Sequence, residues 1–314
     1  MLARIANSLF WMARYLERSE HLARYAKVHQ FSAIDAPEAQ NKEDLLMSIL
    51  KNAGMNYLYQ KDIGNVNEMD VIYYVLLNLK NPYNIISSVS SARENARGAR
   101  DSITTEVWEA INMYYHYINN IAQIPFDTDD TYEVTHHIFT HCAHIKGLID
   151  NTLIHNDAWH LISMGLHLER ATQICRIIIT KTDDIANVPE NELNESIQNY
   201  HWSTMLKCAE SFDMCNRTYR ATPSRSNALE FLLLNQKFPK SLTFNLDKAY
   251  NHMTKIAITK KSKDDFIFEM GKLVYTFKFL KIEEIDENIH VYLNATLDKM
   301  YEIAYRFEKS YLNY

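Results

Sequence analysis

Two glutamate–arginine pairs, Glu17-Arg18 and Glu169-Arg170, stand in near-identical surroundings in the two halves of the chain. The first reads Met12-Ala13-x-x-Leu16-Glu17-Arg18-Ser19 with Arg24 beyond it, the second Met164-Gly165-x-x-Leu168-Glu169-Arg170-Ala171 with Arg176. In each, the Glu and the distal Arg are seven residues apart, two helical turns, and so share a face. Between them lies Ser91-Ala92-Arg93-Glu94-Asn95-Ala96-Arg97-Gly98-Ala99-Arg100-Asp101. There Arg93, Arg97 and Arg100 make one stripe beside Glu94, on a helix small enough for close backbone approach.

Arginine beside glutamate supports three chemistries. A guanidinium grips a carboxylate or phosphate through two parallel hydrogen bonds. A pocket formed by Arg14, Arg18, Arg93, Arg97 and Arg170, with Glu17, Glu94 and Glu169 orienting them, would bind an anion in this way. Alternatively, Glu17 or Glu169 acts as an acid/base, which needs a raised pKa that neighbouring arginines oppose. The third reading is a buried ion-pair network that fixes helix register. The candidate ligand-binding set is Arg14, Glu17, Arg18, Arg24, Arg93, Glu94, Arg97, Arg100, Glu169, Arg170 and Arg176, with no catalytic residue assigned.

Other chemistries have weaker claims. Glu133, His137, His141 and His144 share a helix face, with His136, Cys142, His155, His160 and His167 nearby in sequence. The spacing suits zinc, but there is no pair of ExxH motifs, so a solvated or packing histidine face is the simpler account and no metal is assigned. Cys142 has His141 and His144 close in sequence, yet adjacent helical residues do not face each other. No glycine-rich phosphate loop occurs, which excludes P-loop nucleotide binding, and no cofactor is implied.

The elements that must position these side chains are helices. Only six Gly and six Pro occur in 314 residues, and no stretch sustains period-two alternation. The fold class is all-α: a single domain over 1–314, a bundle of about ten helices with a polar Arg/Glu centre. The expected helices cover residues 2–28, 42–59, 69–79, 87–121, 130–153, 157–180, 191–219, 224–234, 240–258, 263–279 and 288–312. Residues 33–44, with Pro37, read as a surface connection and 182–189 as a loop. The first helix carries Leu2, Leu9 and Leu16 on one face but Trp11 and Tyr15 on another, the mark of a helix sandwiched between neighbours.

Net charge −6 argues against a broad nucleic-acid surface. Cys142, Cys175, Cys208 and Cys215 form no CxxC pair, which suits reduced thiols in the cytoplasm. Arg4, Arg14, Glu17 and Arg18 interrupt any signal-peptide core, and no apolar run is long enough to span a membrane.

These residues together resemble the bacterial alpha-E family, an all-helical domain named for its Glu-Arg motif. The resemblance is carried by Arg4, Ala6, Ser8-Leu9, Trp11-Met12, Arg14-Tyr15, Glu17-Arg18, Glu20 and Ala23-Arg24. It continues in Ala92-Arg93-Glu94-Asn95-Ala96-Arg97, Trp108-Glu109, Gly147 and Leu168-Glu169-Arg170-Ala171, and more weakly in Phe238-Pro239-Lys240-Ser241. Leu166 stands where the family often has an Arg, which predicts a reduced second polar cluster. The resemblance implies an association with circularly permuted ATP-grasp proteins and with transglutaminase-like or proteasome-like peptidases. It therefore implies an accessory or scaffold role in peptide formation or modification.

Overall fold

The computed structural model describes residues 2–32, 41–191, 193–260 and 265–312, apart from the side chains of 257–260. Fourteen α-helices and no strands occur among them. In chain order they are α1 (Ala3–Ser32), α2 (Lys42–Ala53), α3 (Asn56–Asp62), α4 (Glu68–Leu76), α5 (Ile85–Gly98), α6 (Thr105–Ile121) and α7 (Thr131–Thr152). There follow α8 (Asp157–Ala186), α9 (Glu195–Cys208), α10 (Phe212–Tyr219), α11 (Arg225–Leu234), α12 (Leu242–Lys260), α13 (Asp265–Phe279) and α14 (Ile289–Phe307), which ends in a π-helical turn, Glu308–Leu312.

Fourteen helices stand where eleven segments, a bundle of about ten, were expected, because three anticipated helices are each broken in two. Gly54, at φ 70°, closes α2 in the left-handed conformation that glycine adopts without strain. The expected helix over 87–121 stops after Gly98, passes through a 3₁₀ turn at Arg100–Ser102, and restarts where the Thr104 hydroxyl accepts from the Val107 N–H. The expected helix over 191–219 breaks at Glu210, a non-glycine residue at φ 53°. Conversely, α8 runs on through Ala186, where a loop was expected over 182–189. Most of the expected connection over 33–44 lies outside the described residues.

Helix starts are marked mainly by asparagine. Asn41, Asn67, Asn84, Asn156 and Asn194 each accept a backbone N–H of the first turn through the side chain, and Ser224 does so for α11. Each such cap contributes about 1 kcal/mol and fixes where a helix begins in a chain poor in proline and glycine.

The centre of the molecule is the pair α1 and α8, each 30 residues long. Phe10 meets Gly165, Arg14 and Arg18 meet Glu169, and the Lys181 ammonium lies near the Tyr25 ring. Residue numbers rise together along both helices, so they run in the same direction. Helices α5, α7 and α9 and the C-terminal turn pack around α1, while α12, α14 and α2 pack around α8. This explains why neither central helix has a single apolar face. Leu9, Phe10, Met12 and Ala23 are buried on α1; Trp11 is partly buried and donates from Nε1 to Glu308, 2.5 Å away. Leu2, expected in the core, is instead 66% exposed because it precedes the first turn.

The two central backbones touch at Gly165. A Cβ there would overlap the Phe10 carbonyl oxygen and stand 3.2 Å from the Phe10 ring. Gly147, inside α7, has nothing within 4 Å of the same position. Two alanine substitutions should therefore have opposite signs in chemical denaturation. Gly165→Ala should cost roughly 1–3 kcal/mol by overpacking, whereas Gly147→Ala should stabilise by up to about 1 kcal/mol through helix propensity. Equal effects would contradict the close approach of α1 and α8.

Candidate functional site

The two Glu-Arg pairs answer each other across the α1–α8 contact. Arg18 Nε donates to Glu169 Oε1 at 2.8 Å, and Arg170 Nε donates to Glu17 Oε1 at 2.7 Å. Arg18 Nη2 also donates to Glu169, at 3.2 Å, as do Arg14 Nε at 2.8 Å and Gln173 Nε2 at 2.9 Å. The position equivalent to Arg14 in the second motif is Leu166, which cannot donate. Lysines from outside the motif take its place at Glu17: Lys146 Nζ lies 2.7 Å from Oε2 and Lys240 Nζ 3.7 Å from Oε1. The second cluster is thus altered in composition rather than diminished.

From Glu17 the charges continue outwards. Lys146 also holds Glu20, Lys240 reaches Glu210 at 2.8 Å, and Glu210 receives Arg24 at 2.5 Å. Glu210 is the residue whose left-handed backbone separates α9 from α10. Holding a non-glycine residue in that region costs on the order of 1 kcal/mol or more, and two cations fix its carboxylate. The space enclosed by these groups is only about 20 Å³, hardly more than one water.

Charge state follows from burial set against these partners. Burial alone would raise both carboxyls, but Arg170, Lys146 and Lys240 hold Glu17 well below its ordinary value, and Arg18 and Arg14 do the same to Glu169. Both stay ionised and saturated with donors. Neither has the raised pKa that a proton-transfer role at neutral pH needs.

The remaining candidates lie elsewhere. Arg93 donates to Asn112 Oδ1 at 2.7 Å, pairs with Glu94, and stacks over Tyr115 and Trp108. Arg97 pairs with Glu94 on the surface. Arg100, in the 3₁₀ turn, lies over Trp108. These form a patch on α5 and α6 in which Arg97 is exposed and Arg93 and Arg100 half-buried; it is separate from the Glu17/Glu169 network, so the five-arginine pocket is not assembled. Arg176 points to α14 and donates to the Tyr301 hydroxyl at 2.9 Å.

No group of three or more His, Cys, Asp or Glu side chains able to hold a metal occurs among the described residues. His137 and His141 pack against Tyr117, His141 also stacks on Tyr114, and Cys142 faces inwards to the Leu16 carbonyl. Burial pushes the Cys142 thiol up to about 12, which removes it as a nucleophile.

A feature not anticipated from sequence adjoins the polar centre. An open furrow of about 690 Å³ runs between α7, α8 and α12. Arg170 and Lys146 belong both to the ion-pair network and to the furrow wall. Lys248, Lys255, Trp159 and Phe244 also line it, along with His155, His160, His167 and His252. The sequence carried one signal: Trp159, Ser163, His167 and Arg170 are spaced three or four apart on α8, as are Phe244, Lys248, Asn251 and Lys255 on α12.

The whole-chain comparison agrees with this architecture. Residues 1–312 match the family Alpha-E, described as a predicted alpha-helical domain with a conserved ER motif, and the chain belongs to that family. Uncharacterized proteins of Mycobacterium bovis and Mycobacterium tuberculosis are 19% identical over 262 residues, which is 78% of this chain and 29% of theirs. The chain thus spans under a third of the length of these curated relatives. No solved structure matches it.

Two predictions follow from the charges. Glu169 is the carboxylate that Arg14 and Arg18 share, whereas the lysines around Glu17 also reach Glu20 or Glu210. Glu169→Gln should therefore cost roughly 3–5 kcal/mol of unfolding free energy by leaving buried cations unpaired, and Glu17→Gln clearly less. The pH dependence should show two phases. Burial lowers His21, His167 and His201 from 6.5 to about 4, so the unfolded chain takes up their protons first. The corresponding stability is complete above pH 6.5 and lost as pH falls towards 4. Below 4.5, protonation of unfolded carboxyls removes a second contribution, that of Glu17 and Glu169, as pH drops through their depressed folded values. Thermal melts should show the midpoint falling by at least about 5 °C between pH 7 and pH 5. A flat profile over that range would refute the neutral buried histidines.

Proposed function

We propose that this protein is an accessory or scaffold component of an ATP-grasp-linked pathway that forms or modifies peptides. In this reading it binds an anionic ligand, carboxylate or phosphate, where the Arg/Glu centre opens into the furrow. The observation that carries the reading is the position of Arg170 and Lys146, which brace Glu17 on one side and line an open cleft on the other. Lys248 and Lys255 stand in that cleft with Arg170 and Lys146, whose remaining N–H groups are the donors left over from Glu17 and Glu20. A low-dielectric wall carrying cationic donors attracts and orients anions.

The Arg14, Arg18 and Glu169 knot serves this site indirectly, by fixing the register of α8 and hence the placement of Arg170. The acid/base alternative for Glu17 or Glu169 has less support, since each carboxylate is buried under two or more cations. The Arg93, Arg97 and Arg100 patch, backed by Trp108 and Tyr115, suits contact with a partner, because arginine and aromatic residues are enriched where proteins meet. The pathway assignment draws on the family resemblance and on the relatives' greater length, which leaves room for further domains joined to this one.

Affinity capture from the native host tests the partner half of the reading. The wild-type protein should retain an ATP-grasp protein or a transglutaminase-like or proteasome-like peptidase, and Arg93→Ala/Arg97→Ala should lose it. Recovery of none of these classes would end the pathway assignment. Calorimetric titration with pyrophosphate tests the anion half: binding should be at least tenfold weaker in Lys248→Gln. Wild-type protein that takes up no pyrophosphate would count against an anion site.

A further inference from the structure

We propose that the furrow is a binding groove for an extended peptide segment ending in a carboxylate, with that carboxylate held at the Arg170 end. The proposal rests on the anion-binding reading above and specifies the class of ligand.

Length is the first argument. From Trp159 to Arg170 the furrow follows eleven residues along α8, about 16 Å at 1.5 Å per residue, enough for roughly five extended residues. It then joins a second cleft of about 950 Å³, with which it shares His155, His160 and Lys255. A small phosphorylated metabolite would fill only one end of such a channel.

Polarity is the second argument, because a cation-rich end gives way to a largely apolar one along the groove. Arg170, Lys146 and Lys248 gather near His167 at one end. Asp150 lies towards the other, where Trp159 Nε1 donates to it at 3.4 Å. The second cleft is lined by Asp101, Asp157 and Lys255 and by an apolar surface of Ile103, Leu153 and Ile154. A ligand anionic along its whole length would set charge against that apolar surface, whereas a peptide with one terminal carboxylate and an apolar body matches both ends.

Hydrogen-bonding capacity is the third. His160 and His252 meet Nδ1 to Nδ1 at 3.0 Å, and His252 stacks near His167. Burial keeps these imidazoles neutral. The bond between His160 and His252 uses one donor and one acceptor and leaves one Nε2 a donor and the other an acceptor, as peptide C=O and N–H groups require.

Equilibrium dialysis against a random hexapeptide pool, half free acids and half C-terminal amides, with mass-spectrometric readout, tests the proposal. The free acids should be retained at least tenfold over the amides. Lys248→Glu should abolish the preference, while Lys51→Glu, on the exposed face of α2, should keep it. Lys248→Gln, a milder change, should weaken retention at least tenfold, and melting curves would verify that each variant is folded. Equal retention of acids and amides, no retention, or a preference unaffected at Lys248 would overturn the peptide assignment. If pyrophosphate binds and peptides do not, the anion reading survives without the peptide; if neither binds, both fall.

Discussion

The structure depends on one exchange: each of two parallel helices lends its arginine to the other's glutamate. Both pairs are buried, and burying charge is favourable only when geometry and hydrogen bonding are close to ideal. The exchange therefore tolerates one register of α1 against α8. A one-residue slip would rotate each glutamate by about 100° away from its partner. Gly165 sets the separation at which the guanidiniums can reach across, since any side chain there would push the backbones apart.

Departures from symmetry give the centre its direction. Arg14 doubles the positive charge on Glu169, but Leu166 provides nothing equivalent for Glu17. Lysines from α7 and from the turn before α12 supply what is missing, and because they are long and peripheral they extend the network outwards. One side of the pair is a closed knot, while the other leads to Glu20, Glu210 and an open furrow. A single leucine at a repeat position thus distinguishes the structural half of the motif from the half that faces a ligand-sized space.

Much of this was legible in the sequence, for identifiable reasons. Repeated Glu-Arg pairs at matching positions on apolar helices announce a buried polar centre, and the scarcity of Gly and Pro announces an all-helical chain. Trp11 and Tyr15, opposite the Leu9 and Leu16 face, correctly placed α1 between neighbours. What could not be read is set by rotation and by loops. Arg93, Arg97 and Arg100 form a regular stripe, but only the angle at which α5 packs decides that it faces α6 and solvent. Glu210 carries no glycine-like signal of its left-handed backbone. The furrow is built from residues of α7, α8 and α12, and no local pattern reports how three separate helices align.

The bonds that define the centre join residues more than 150 positions apart, Arg18 to Glu169 and Arg170 to Glu17. Six helices, α2 to α7, are laid down before the chain returns in the same direction. During synthesis at roughly 5–20 residues per second, α1 would wait on the order of ten seconds for α8 to emerge. In that interval its apolar residues can be sheltered by α5 and α7, which precede α8 in the chain and pack on α1 in the finished fold. The arginines and glutamates of α1 stay hydrated until the last long helix arrives. Closure of the polar centre thus waits for α8, more than half-way along the chain.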